Sequence, residues 1–508
     1  MIVIEPTFQA RQLRIALQRY MYEIQRLPYP GAFQFMHDTF AEIVAHDFVV
    51  RHKPFLNPYE IAAMTNYIAL FGTTRKDIRR FDLNKSLNCL KKLWSLAEAA
   101  STYSKNTEYE ACFVLRWLYQ QIPYHVHPLR VFRVWLIMGK LLSDPDVSSC
   151  LESAVGLSGA RFLAATMRLL EKFHEDCIYP ENTLLTLGDS GAIKTTLTYL
   201  SADRAKRLIF HRSKLERREP AEKLYEINTL LRFPLIKDEY QYFAPYPELI
   251  AYAGTRGLFF RLSEEKGDVF RNPFVRAFEA ETAAMLRAAM PHAEVLTEED
   301  ERTLGWSGKT NDVTLIWGDA AVLIECKLSA LFVQAKRTAS PEAILADLKK
   351  QIADGKNRRG LFQLHDKIAA IKTKALPPKL AATYADVQRY FPVVLFFDAF
   401  EHVNAPLTIG NMIKDELLVH GVSNFRYQLW HLEELSWLTE FAGSSLVDWI
   451  SEKFSPGHYE LGLNTFIGKK NNMPFLQPPM YMPRDDNAYA ILKRLSDMEA
   501  QSQSPSCG

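Results

Sequence analysis

The fold class this chain predicts is a mainly α-helical N-terminal domain followed by an α/β domain with a mixed central sheet flanked by helices. Three observations carry that expectation. From Thr7 to about Arg217 apolar residues recur at spacings of three and four, the period of an amphipathic helix. Past residue 270 the texture changes, and two short apolar runs, Val313 to Trp317 and Ala320 to Cys326, are joined by Gly318-Asp319. Further on, Val393 to Phe397 is apolar throughout, as a strand buried on both faces must be.

In the first half Leu83, Leu87, Leu90 and Trp94 share one helical face, as do Ala111, Leu115 and Leu118, and again Val131, Trp135 and Met138. No fixed period makes this region a solenoid. The polar stretch Ser263 to Asp268 is the best linker candidate, which divides the chain into a helical domain at 1–262, an α/β domain at 263–460 and a C-terminal extension at 461–508. In the second domain Asn272-Pro273, a cap followed by proline, predicts a helix start leading into Phe274 to Met290. Val295-Leu296 is a short apolar pair, and Glu298 to Glu301 reads as a polar loop of four consecutive acids. Glycine at the first of two turn positions suits a type II′ hairpin between the two strands. A helical region from Pro341 to about Lys374 is interrupted near Gly355 and Gly360. Pro377-Pro378 ends it, Phe425 to Trp430 forms another strand, and Leu432, Leu435 and Leu438 mark a closing helix.

The chain has 508 residues, 48% hydrophobic and 24% charged, with Lys+Arg 61 against Asp+Glu 59. That length asks for two or three cores, and the aromatic content argues against global disorder. A formal net charge of +2 excludes a strongly basic packaging protein without excluding a local nucleic-acid surface. The six cysteines are scattered with no C-x-x-C pair, so neither a zinc ribbon nor a disulfide framework is expected. No secretory signal and no spanning segment are read, and a reducing cytoplasm is the simplest compartment.

The informative segment runs from Asn311 to Lys327. Side chains alternate along a strand, so Glu325 and Lys327 point one way and Cys326 the other. A two-residue turn pairs Trp317 with Ala320, and counting outward places Asp312 opposite Glu325. Two opposed like charges are unfavourable unless something positive lies between them, either a bound cation or Lys327. Two carboxylates converging with one lysine are what metal-assisted phosphodiester cleavage requires. Asp312 and Glu325 suit a hard cation, Mg²⁺ or Mn²⁺, and the backbone carbonyl of Cys326 is placed as a further ligand. Lys327 would orient or help deprotonate the attacking water, or stabilise the crowded phosphate. An acid, any residue and a lysine recur at Glu264 to Lys266, Asp347 to Lys349 and Asp354 to Lys356, but none of these has a strand to aim two side chains at one point.

Asp312, a hairpin and then Glu325-Cys326-Lys327 resemble the core of the PD-(D/E)xK, or restriction-endonuclease-like, nuclease superfamily over roughly Phe270 to Leu438. The resemblance implies a restriction-endonuclease-like α/β domain and divalent-metal-dependent endo- or exonuclease activity on nucleic acid. DNA is favoured over RNA, with restriction, repair or defence as the setting. It also implies an acid on the first core helix. Glu279 and Glu281 flank the apolar stripe of that helix on opposite sides; periodicity does not choose, and the resemblance favours Glu279. A basic or amide residue after the lysine strand is expected to bind phosphate or to position the metal ligands, with Lys336, Arg337 and Gln363 as candidates and Gln351 a poorer one. Asn311 stands where the family often has proline.

Between Lys349 and Lys379 stand Lys349, Lys350, Lys356, Arg358, Arg359, Lys367, Lys372, Lys374 and Lys379 against Asp354 and Asp366 only, a basic stretch fitting a phosphate-bearing partner. The alternative reading is a catalytically inactive nucleic-acid-binding or scaffolding protein with a nuclease-like fold. The helical domain would serve a partner protein, nucleic acid or a second copy of the chain, and no membrane is expected. His125-Val126-His127 and Gly308-Lys309-Thr310 lack the partners or flanking elements that a metal site or phosphate loop needs.

Overall fold

The structure, a computed structural model, describes residues 128–215, 228–328, 341–397, 405–422 and 425–471, with single positions and short stretches between 19 and 72. The expected helices around Leu83 to Trp94 and Ala111 to Leu118, His125 to His127, and Lys336 and Arg337 lie outside the described residues. The chain divides into two compact units, with the change falling between Asp268 and Val269. No helix among the described residues is long and apolar enough to cross a membrane.

In the first unit the helix Pro145–Val155 starts because Asp144 accepts the N–H groups of Asp146 and Val147, and it stops at Gly156, where φ is +83°. The following helix, Gly159–Glu175, buries Phe162, Leu163, Leu169 and Phe173 on one face. The expectation of a mainly helical domain holds, and the unit also carries a small four-stranded sheet that the sequence did not announce. Its order is Ile178–Pro180, Gln241–Phe243, Leu235–Asp238, Ser201–Ala202. Strands of two to four residues are too short to establish a period of two in sequence. Ser263 to Lys266 is likewise no linker. It is the last turn of the helix Arg256–Lys266, where Glu264 and Glu265 take Arg232 at 2.5 and 2.8 Å, and Gly267 at φ +60° ends it.

The second unit is a mixed α/β layer structure. Its elements are α1 (Asp268–Ala289), β1 (Glu294–Thr297), α2 (Glu298–Thr303), β2 (Val313–Trp317), β3 (Ala320–Lys327), α3 (Pro341–Ile352), β4 (Ala353–Asp354), β5 (Arg359–Gly360), α4 (Leu361–Lys372), α5 (Pro378–Thr383), β6 (Arg389–Phe396), α6 (Ala405–Val419), β7 (Gln428–His431), α7 (Leu432–Ala442), α8 (Leu446–Lys453) and α9 (Leu463–Lys470). The main sheet has the order β7-β6-β3-β2-β1. Strands β1, β2 and β3 pair antiparallel, while β6 pairs parallel with both β3 and β7. The parallel crossovers are long enough to carry helices, which is why both faces of β3 and β6 are covered and both strands read as apolar runs.

Ala321, Leu323, Val394 and Phe396 pack under Leu348, Ile352, Leu361, Leu364 and Ile413 on one face. Each fully buried Leu or Phe there contributes roughly 1.5–3 kcal/mol. On α1, Phe274 and Phe278 meet Phe397 edge-on at 5.1 and 6.1 Å. Helix α1 begins a turn earlier than Asn272-Pro273 predicted and contains Pro273. A proline this near the N-terminus removes only one helical hydrogen bond, so the helix tolerates it. Glu298 to Glu301 forms a helix rather than a loop. Thr297 and Asp300 make a reciprocal capping box, and four acids in the first turn face the positive end of the helix dipole. The extension expected from residue 461 contributes α9, which packs on α7 within the second unit.

Candidate active site

The hairpin β2–β3 positions the first two acids. Gly318 has φ +57° and Asp319 is not in the left-handed region, which is the type II′ pattern. The register pairs Trp317 with Ala320 and Val313 with Ile324. Beyond that last pair the ladder turns irregular. The Asp312 N–H donates to the Ile324 carbonyl at 3.1 Å, and the Cys326 N–H, past the end of the ladder, donates to Asp312 Oδ2 at 2.5 Å. Lys327 Nζ donates to Glu325 Oε1 at 2.6 Å. Cys326 points to the other layer, its Sγ 3.9 Å from Thr282 Oγ1 on α1.

Helix α1 brings a third acid. Glu279 lies within electrostatic reach of Glu325 and Lys327. Burial, then the Glu298 and Glu325 carboxylates, pushes Glu279 up to about 7. Burial, then Glu325 and Glu279, pushes Asp312 well above the usual carboxylate range. Glu325 is raised by burial too, with Lys327 opposing. Burial pulls Lys327 down, yet Glu325 and Asp312 together outweigh it and hold the ammonium above its ordinary value. Three acids therefore crowd Lys327 in a buried place, and although Arg276 acts on Glu279 and Arg359 on Glu325, burial and mutual repulsion still prevail and the site is short of positive charge. Glu325 Oε2 is buried and has no hydrogen-bond partner.

Among the described residues no group of three or more His, Cys, Asp or Glu side chains is spaced to hold a metal ion. A hard cation such as Mg²⁺ needs fewer, since it takes one or two carboxylates and keeps several waters. The missing positive charge and the orphaned Glu325 oxygen fit such an ion on Asp312 and Glu325.

The segment entering Asp312 is clamped from two sides. Thr310 Oγ1 donates to Glu301, which also accepts from Lys367 Nζ at 2.6 Å and Tyr384 Oη at 2.6 Å. Lys367 is 0% and Glu301 1% exposed. From the other side the Gln363 side-chain amide donates to the Thr310 carbonyl. Asn311 then holds the strand itself, donating to the Val313 carbonyl at 2.7 Å and to Thr314 Oγ1 at 2.9 Å.

These contacts revise several sequence expectations. Of the two roles expected of Gln363, its contact is of the positioning kind, since its side-chain amide is engaged with the backbone two residues before Asp312. Lys349 pairs with Glu416 at 3.2 Å, and Lys350 is exposed on α3. Lys367 is no surface charge at all, and Arg358 Nε is bound to Asp366 at 2.5 Å. The remaining cations split between the two ends of α4. Lys356 and Arg359 precede the helix, whereas Lys372, Lys374 and Lys379 follow it, and Lys372 lies over the Tyr390 ring at 5.2 Å. Tyr390 pairs with Ala321, four residues before Glu325 and so about 13 Å along the strand from that acid. The sequence reading missed Glu298 as an acid beside the site, although the Thr297 and Asp300 capping pattern is legible and would have turned the loop into a helix. No protein-family model, curated protein or solved structure matches this chain.

Proposed function

We propose that the second unit is a divalent-metal-dependent nuclease of the PD-(D/E)xK type, hydrolysing phosphodiester bonds with DNA as the favoured substrate. The observation that carries this reading is the meeting of Glu279, Asp312 and Glu325 around the single Lys327 at one end of β3. A sheet of order β7-β6-β3-β2-β1, antiparallel on one side of β3 and parallel on the other, agrees with a restriction-endonuclease-like core. Asp312, Glu325 and the Cys326 carbonyl would hold Mg²⁺ or Mn²⁺. A bound ion of this kind supplies an acidified water and charge for the phosphate.

Lys327, kept protonated by its two acids, offers positive charge to the oxygens that become more negative as the phosphate crowds. Glu279, pushed up to about 7, is matched to exchanging a proton with water near neutral pH. Gln363 and Glu301 fix the backbone from which Asp312 projects.

Purified protein incubated with linear and circular DNA and with RNA, in Mg²⁺, Mn²⁺ or EDTA, tests the reading. Metal-dependent cleavage lost in Lys327→Ala and Asp312→Ala is expected, and cleavage surviving both substitutions refutes the site. One observation favours the alternative of a binding or scaffolding protein: Lys327 is closed onto Glu325 at 2.6 Å, as in a purely structural pair. Nucleic-acid binding with no cleavage in any metal would select it.

A further inference from the structure

The helical region after β3 is interrupted by a small hairpin. Strands β4 and β5 pair Ala353 with Gly360 and Asp354 with Arg359, leaving a four-residue loop from Gly355 to Arg358. Its geometry is tightly built. Asp354 accepts the Asn357 N–H at 2.9 Å and the Asn357 side-chain amide at 2.7 Å. Arg358 is held at φ +47°, a left-handed conformation unusual for a residue with a side chain, and is fastened by Asp366. Gly360 sits at φ +64°, where a Cβ would overlap the Ile352 carbonyl, and a Cβ on Gly355 would overlap the His420 ring.

This hairpin is also tied to the strand that carries the first acid. Lys309 Nζ donates to the Asn357 carbonyl and, at 3.4 Å, to the Arg358 carbonyl. Gln363, on the first turn of α4 after β5, holds the Thr310 carbonyl. Lys309, Lys356 and Arg359 are all exposed, and among the described residues none of the three has a carboxylate within ion-pair distance. Arg359 is near enough to Glu325 to oppose the rise in that acid's proton affinity. Arg359 stands opposite Asp354 across the hairpin, and a rigid turn with strained residues that presents exposed cations beside an acidic centre offers a polyanion a fixed positive surface.

We propose that the hairpin from Ala353 to Gly360 grips the sugar-phosphate backbone of the nucleic acid beside the carboxylate cluster, with Arg359 and Lys356 each contacting a phosphate. The proposal rests on the nuclease reading for its substrate class and adds the surface that holds the strand. Arg359 suits the role because its planar fork meets two phosphate oxygens at once. The three acids repel a polyanion, and cations on a fixed loop next to them counter that repulsion without neutralising the acids. Lys372 ends α4 and Lys374 and Lys379 follow it, about 18 Å along the helix from the hairpin, so they are not part of this grip.

The test is fluorescence anisotropy of the full-length protein with labelled duplex DNA, single-stranded DNA and RNA in EDTA, titrated over salt. The double variant Lys356→Ala, Arg359→Ala should bind about tenfold or more weakly at moderate salt. Its log-affinity against log-salt slope on duplex should be shallower by about 1.8, two contacts at about 0.9 each. Lys374→Ala, Lys379→Ala should bind like wild type, and Arg359→Lys should keep the slope while losing part of the affinity. Wild-type affinity and slope in the hairpin variant overturn the proposal, as does an equal loss in the distal variant or no binding by wild type. If binding depends on the hairpin but no metal supports cleavage, the grip stands and the nuclease reading falls. If wild type cleaves and the hairpin variant binds normally, the reverse holds. Unchanged circular dichroism and melting of both double variants guard against misfolding.

Discussion

Removing one negative charge from the acidic cluster should stabilise the metal-free protein, and Asp312→Asn is the perturbation of choice. The carboxamide it introduces keeps an oxygen for the Cys326 N–H, so the hydrogen bond at 2.5 Å survives while the repulsion with Glu325 and Glu279 disappears. All three acids bind protons more tightly folded than unfolded. Between the unfolded carboxyl range and the folded one, the native state therefore carries more protons, and stability is fully present on the acidic side and lost as pH rises. For Glu279 the gap between the ordinary 4.5 and about 7 is worth about 3 kcal/mol, which solvent screening of a partly exposed group reduces to about 1–2 kcal/mol. Asp312 and Glu325 act in the same direction. Calorimetry in EDTA should show Tm falling by about 2–8 °C from pH 5 to pH 8, at roughly 2–4 °C per kcal/mol for a unit of this size. The Asp312→Asn substitution should flatten that slope, and Mn²⁺ at a hundred times its Kd should raise the wild-type stability by about 2.7 kcal/mol. A wild-type Tm that ignores pH across this window and is unmoved by both Asp312→Asn and Mn²⁺ would refute the charge-deficient cluster.

Lys327→Ala should reduce plasmid cleavage by about a hundredfold or more while leaving anisotropy-measured DNA affinity within a few-fold, because its charge acts on the reacting phosphate. Gln363→Ala should lower the cleavage rate with little change in affinity if it steadies the Asp312 strand. A lower affinity at unchanged turnover would instead restore the phosphate contact expected from sequence. Lys367→Met should destabilise the second unit by about 3–5 kcal/mol in denaturant unfolding, since it strands the buried Glu301. The double variant with Glu301→Gln should recover much of that loss, and no recovery would show that Lys367 packing matters more than its charge.

Much of the hairpin was legible because its rules are local. Gly318 supplies the positive φ, the turn length sets the register, and alternation assigns Glu325 and Lys327 to one face and Cys326 to the other. Helix ends were read less well. Asn272-Pro273 looked like a start because that pair caps helices elsewhere, but α1 had already begun at Asp268, and only packing of Phe270 and Phe274 shows that the earlier turn is kept. Charge was misread for a related reason. Lys367 and Lys372 are alike in sequence, yet one is closed inside a pair with Glu301 and the other lies over the half-buried Tyr390 ring.

The sequence by itself determined the order of strands and helices around Asn311 to Lys327, the hairpin register as far as Val313 and Ile324, and the lysine two residues after Glu325, whereas the expected pairing of Asp312 with Glu325 falls past the end of the regular ladder. What it determined follows from periods of two or from a turn of fixed length. Only the tertiary structure brought Glu279 within reach of Glu325 and Lys327, laid Glu298 alongside, clamped the strand with Glu301, Lys367 and Gln363, and divided the basic stretch between the two ends of α4. Those choices depend on which helix face meets the sheet and on how far a chain travels before it returns. Burial and Coulomb energy between residues tens of positions apart settle them, and no local pattern records that.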